Sequence, residues 1–201
     1  RHAEAIIVSR ETVDEMKQYY DTFKARVKKQ GRDPDDCKVF FLTKPIIGET
    51  DEAAQRRADE LYAKAPVEAG LASLSTMLQM DLSTYDLDQP LPGAIQPRAI
   101  QGTRSQLDRF YMSGRTPTLR DIATRKVSID SKPYIGGPER VADELARTID
   151  AVGGDGFAIR QGIWPGYVGP FVEQVIPLLQ QRGAVRTEYT GTTLREHLRE
   201  F

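Results

Sequence analysis

Apolar positions in this chain alternate between helical spacing and short unbroken runs. Val141, Ala142, Leu145, Ile149 and Val152 recur at helical spacing behind Gly137 as N-cap and Pro138 as first helical residue, where a missing N–H costs nothing. Gly153 and Gly154 end that helix, and Asp155-Gly156 turns into Phe157-Ala158-Ile159. This apolar run lacks clean alternation, which predicts a strand covered on both faces. Beyond Gly166 and Gly169, Pro170 opens a helix through Phe171, Val175, Ile176, Leu178 and Leu179 that ends at Gly183 and bends at Pro177.

Two further buried runs precede this unit. Ala5 to Ser9 is the first, followed by a helix with Thr12 and Glu15 at capping-box spacing and one apolar face of Val13, Met16, Tyr20, Phe23 and Val27, stopping at Gly31. Asp33-Pro34-Asp35-Asp36 turns into Lys38 to Ile47, where Val39-Phe40-Phe41-Leu42 is the second buried strand and Pro45 interrupts pairing. Thr50 caps a charged helix running to about Ala65, and Glu68 to Met80 forms another. Asp81 to Gly102 is a long breaker-rich segment; Thr103 to Gly114 encloses a short helix, and Thr116 and Pro117 cap the next, with Leu119 and Ile122 inward. The tail carries Thr193 and Glu196 at capping-box spacing. Buried strands separated by helices indicate an α/β fold, with residues 51–132 as a largely helical excursion inside one domain of residues 1–201.

Composition narrows the function classes. Lys and Arg number 28 against 29 acidic residues, so net charge gives no reason to expect nucleic acid or an anionic membrane as partner. Cys37 is the single cysteine, which excludes an internal disulfide framework and reads as a small buried thiol. No stretch is long and apolar enough to span a bilayer, and the expected compartment is the cytoplasm. The start at Arg1, without methionine and close to a strand, reads as a cut piece.

Two histidines, His2 and His197, stand at opposite ends of the chain, and no metal site is expected. Gly136-Gly137 and Gly153-Gly154 lack the spacing of a phosphate loop and serve as helix punctuation. Were the three buried strands part of a parallel barrel, the residues after their C-terminal ends would face the mouth. Those include Thr43, Lys44, Arg160 and Gln161, with Trp164 nearby. Arg160 and Trp164 suit an anionic or aromatic group, or else form a surface Arg and a Trp packed under its own loop.

The segments HAEAIIVSR, KVFFLTKPIIGET, TLRDIATRKV, GGPERVADELARTIDAVGGDGFAI and FVEQVIPLLQQRGAVRTEYTGTTLREHL occur in this order. Together they resemble the C-terminal half of bacterial-luciferase-like flavin-dependent monooxygenases, in the group acting on nitrilotriacetate, EDTA, dibenzothiophene sulfone and long-chain alkanes. The resemblance implies a (β/α)8 TIM barrel of which this chain supplies strands 6 to 8, with residues 51–132 as the insertion after strand 7. It implies an oxidoreductase that takes reduced FMN from a separate NAD(P)H-dependent flavin reductase and puts one oxygen atom from O2 into a small organic substrate. A homo-oligomer is expected.

In the family most flavin contacts precede the position of Arg1, so the resemblance brings no catalytic residue onto this chain. Thr43, Lys44, Arg160, Gln161 and Trp164 remain as substrate-pocket candidates. The sequence departs from the family at Phe41-Leu42, where Pro-Gly is common, at Ala158, where Asn is common, and through Arg160 to Tyr167. The alternatives are a non-catalytic half-barrel acting as an oligomerisation or binding module, and an F420-dependent oxidoreductase, against which the ending at Thr187 to Arg195 speaks.

Overall fold

A computed structural model of the chain describes residues 3–10, 12–63, 66–78, 80–90, 117–128, 134–160 and 168–200. The chain divides into two compact units, Arg1–Ala58 with Asp130–Phe201, and Asp59–Ile129.

The first unit is built on a parallel sheet. Strands β1 (Ala5–Val8), β2 (Lys38–Thr43) and β5 (Gly156–Ile159) lie in that order, with β2 central and parallel to both neighbours. Parallel neighbours require crossovers, and helix α1 (Val13–Lys29) makes the first. Its start is the expected capping box: the Glu15 N–H donates to Thr12 Oγ1 at 3.2 Å, and the Thr12 N–H to Glu15 Oε2 at 3.4 Å. Helix α5 (Pro138–Val152) begins behind Gly137 and ends at Gly153, whose φ of 71° is the left-handed conformation that glycine adopts without strain.

Strand coverage differs from the reading of doubly buried strands. Val39, Phe41 and Thr43 are buried while Lys38, Phe40 and Leu42 are half-buried, and on β1 Ile7 is 65 % exposed. Val8, Val39 and Phe41 pack with Met16 of α1 and Val152 of α5 in one core cluster. Among the described residues the helices therefore close one face of the sheet and leave Ile7, Phe40 and Leu42 on the other. An apolar run reports that neither face is strongly polar, and within the described part of this chain only one of the two is covered.

Past Pro45, the chain forms a second, two-residue parallel pairing of β3 (Ile46–Ile47) with β4 (Ile135–Gly136). Asp51, at the start of helix α2 (Asp51–Ala63), fastens it: its carboxylate accepts the Gly137 N–H at 2.8 Å and faces Arg140 Nη1 at 3.2 Å. These contacts, the Gly137 N–H first and Arg140 next, hold the Asp51 carboxyl below its usual range. At the expected bend before Pro177 the structure shows a change of hydrogen bonding. The run 168–181 contains a π-helical segment at Phe171–Val175, where the Ile176 N–H reaches back to the Phe171 carbonyl, just before the proline that lacks a donor.

The second unit pairs helix α3 (Val67–Leu78) with α4 (Leu119–Ser128) around Leu74, Leu78, Leu82, Leu119, Ile122 and Ala123. At Gly70 an added Cβ would lie 2.1 Å from the Ala123 carbonyl oxygen, so close backbone approach requires glycine. The cap of α4 is at Thr118 rather than at the expected Thr116-Pro117: the Asp121 N–H donates to Thr118 Oγ1 and the Thr118 N–H to Asp121 Oδ2, at 3.1 and 3.0 Å. Two satisfied N–H groups outweigh the mild preference for an early proline. Thr116 and the expected helix from Thr103 lie outside the described residues.

Candidate functional site at the strand ends

The C-terminal ends of the parallel strands lie side by side. Thr43 pairs with Ile159, and the ladder continues one residue further, the Arg160 N–H donating to the Thr43 carbonyl at 2.6 Å. Thr43 is 1 % exposed and belongs to the buried row of Val39 and Phe41. Lys44 is half-buried and precedes Pro45, which holds it in extended backbone, so it continues the opposite row of Phe40 and Leu42. Among the described residues no hydrogen bond or ion pair holds the Lys44 ammonium. Arg160 is exposed and extends the row of Gly156 and Ala158 by the same alternation. Gln161 and Trp164 lie outside the described residues.

Next to β1, Arg10 donates from Nη1 to the Ser9 carbonyl at 2.7 Å and lays its guanidinium 4.6 Å from the Tyr19 ring centroid. Tyr19 in turn stacks on Phe23, with the rings 6° from parallel. The cation is thereby held against α1. The apolar spacing read for α1 named Phe23 but gave no sign of Arg10, because a loop residue carries no period.

The opposite ends of the strands hold a feature missed in the sequence. Asp155, only 9 % exposed, faces Lys24 Nζ at 3.1 Å and Lys38 Nζ at 3.7 Å and accepts the Val39 N–H at 2.8 Å. Lys24 also donates to the carbonyls of Pro34 and Cys37 at 2.9 and 3.0 Å. A signal existed: Lys24 stands four residues after Tyr20 and three before Val27, on the apolar face of α1. At this end the tail is also tied in, by Arg199 to Asp36 at 2.6 Å and Arg195 to Glu4.

Among the described residues no group of His, Cys, Asp and Glu could hold a metal, and no helix is long and apolar enough to cross a membrane. The polar groups at the C-terminal strand ends, above an open apolar row, suit binding of an organic molecule with a charged or polar end.

Known proteins agree with this architecture. The family model for luciferase-like monooxygenases matches residues 1–155. The chain is 36 % identical over 200 residues to the dibenzothiophene-sulfone monooxygenase of Rhodococcus erythropolis, covering 98 % of this chain and 44 % of the relative. It is 32 % identical to nitrilotriacetate monooxygenase component A of Aminobacter aminovorans, covering 98 % and 44 %. A crystal structure of a riboflavin lyase with modified FMN and riboflavin superposes with a TM-score of 0.84 at 26 % identity, over 100 % of this chain and 44 % of that one. The chain thus spans less than half the length of the curated relatives it matches. By the extent of the family match and the order of its strands and helices, the chain is an α/β member of the luciferase-like monooxygenase family.

Proposed function

We propose that this chain is the C-terminal part of an FMNH2-dependent, two-component monooxygenase, contributing strands 6 to 8 of a (β/α)8 barrel with residues 51–132 as an insertion after strand 7. The observation that carries the reading is the parallel order β1-β2-β5 with one face closed by helices and the other left apolar and open. In a closed barrel that open face turns inward. The names of the relatives support the reaction class, and "component A" in one of them supports a separate reductase as partner.

Flavin fits these residues as a neighbour. Ile7, Phe40, Leu42 and Ala158 offer an apolar wall without a charged side chain between them, on which a flat ring system loses little by leaving water. When bound, reduced FMN supplies the electrons that activate O2. The chain's own contribution is to exclude water with that wall and to bring polar groups from Ser9, Lys44 and Arg160 to its rim. Substrate enters at this rim, where Thr43, lying behind the wall, supports the Arg160 backbone through its carbonyl.

The test is an anaerobic titration of the complete protein with FMNH2, followed by oxygen uptake with a flavin reductase and NAD(P)H. Saturable binding and reductase-dependent uptake are expected. No binding of FMNH2 by the complete protein removes the assignment, and tighter binding of reduced F420 moves it to the deazaflavin class.

A further inference from the structure

We propose that the rim above the open sheet face selects an amphiphilic organic anion as substrate, its apolar part against Ile7, Phe40, Leu42 and Ala158 and its carboxylate or sulfonate at Lys44 and Arg160. The identification of that anion as substrate rests on the monooxygenase reading; the anion site itself rests on the side chains.

Three observations lead to it. Strand alternation puts Lys44 on the row of Phe40 and Leu42, and Arg160 on the row of Ala158, so both cations end adjacent rows of the same face. Pro45 restricts Lys44 to extended backbone, and the Arg160 N–H is locked to Thr43 at 2.6 Å, so neither backbone is free to turn its side chain to the helix side. The third observation concerns charge. Lys24 and Lys38, whose side chains are 10 % and 11 % exposed, share Asp155, whereas half-buried Lys44 has no carboxylate among the described residues. The burial of Lys44 covers its stem along the apolar row, and an ammonium with no carboxylate beside it is satisfied by an anion arriving on a ligand. Below the two cations the wall is apolar, so the ligand that fits carries its charge at one end.

A phosphate on the flavin offers the same anionic chemistry, and the experiment separates the two sources. Octanoate, octanesulfonate and the neutral octanamide are titrated calorimetrically into the complete protein, wild type and Lys44→Met, alongside FMN and riboflavin. Wild type is expected to hold octanoate about tenfold more tightly than octanamide, as one charge-assisted contact supplies. Lys44→Met is expected to remove that preference while leaving octanamide binding and the thermal transition unchanged, and Lys44→Arg to restore it. Equal affinity for octanoate and octanamide in wild type overturns the site, as does a preference that survives Lys44→Met. If Lys44→Met instead weakens FMN relative to riboflavin and leaves octanoate untouched, the anion is the flavin phosphate and the substrate assignment falls. If the anion preference holds in a protein that does not bind FMNH2, the monooxygenase reading fails and the anion site stands.

Discussion

The two ends of the parallel sheet treat charge in opposite ways. At the N-terminal ends, Asp155 collects two ammonium groups and the Val39 N–H, and Lys24 satisfies two carbonyls besides. These groups serve the join between α1, β2 and the turn into β5, and the pairs Arg199–Asp36 and Arg195–Glu4 beside them hold the tail. At the C-terminal ends Lys44 has no such partner, although it is only one residue beyond the same central strand. Parallel α/β folds separate stability from ligand chemistry in this sense, because strands deliver their C-terminal ends to one side and their supporting turns to the other. The contrast gives each end a different response to losing its charge.

The largest response is expected at Asp155. Replacing it by alanine leaves Lys24 and Lys38 without their carboxylate and the Val39 N–H without its acceptor, in a place where each side chain is about a tenth exposed or less. Removing one partner of such a buried set costs about 3–5 kcal/mol, because the remaining charges stay desolvated. Urea denaturation of the complete protein should show that loss for Asp155→Ala. A change below about 1 kcal/mol, the size of an ordinary exposed ion pair, would put this end on the same footing as the other.

How visible each end was in the sequence follows from how local its interactions are. The capping boxes at Thr12 and Thr193, the stop at Gly153 and the three apolar strands are set within a few residues, and all were legible. In the sequence Asp155 marks only a turn, since its partners Lys24 and Val39 lie 131 and 116 positions away. Lys24, standing on an apolar helix face, was the one local sign. The β3-β4 pairing escaped because two residues carry no period, and its anchor Asp51 looked like an ordinary helix-start acid. At the candidate site, Lys44 and Arg160 were found by counting past the strand ends, but the side on which Thr43 lies was not. That required knowing which row the helices cover.

A smaller and pH-dependent response is expected where the tail joins the N-terminal side. The Glu196 carboxylate accepts N–H groups from Thr192 at 2.7 Å and Thr193 at 2.9 Å and also the Thr192 hydroxyl. These bonds, the Thr192 and Thr193 N–H groups foremost, hold its pKa down to about 2 against 4.5 for a free side chain. A folded pKa below the unfolded one means that the contribution is complete above about 4.5 and is lost as pH falls toward about 2. The amide protection factors of Thr192 and Thr193, taken against the intrinsic exchange rate at each pH, should therefore fall through that window, while Glu196→Gln should show low protection already at neutral pH. Protection at Thr192 that stays flat down to pH 2 would show that the carboxylate does not hold the tail turn.

The smallest response is expected at Lys44, and its smallness is what sharpens the contrast. Methionine keeps the length of the lysine stem and removes only the ammonium, so Lys44→Met tests charge without opening a cavity. No described group loses a partner, and the backbone stays fixed by Pro45 and by the Arg160 bond to the Thr43 carbonyl. The unfolding free energy should then change by no more than about 0.5 kcal/mol, as for a substitution that touches no supporting contact. A loss above about 1 kcal/mol would mean that the ammonium already supports the fold, in which case both ends of the sheet hold their charges for the same purpose. A change near zero, beside the several kcal/mol expected at Asp155, would mean that the charge of Lys44 is kept for something other than stability.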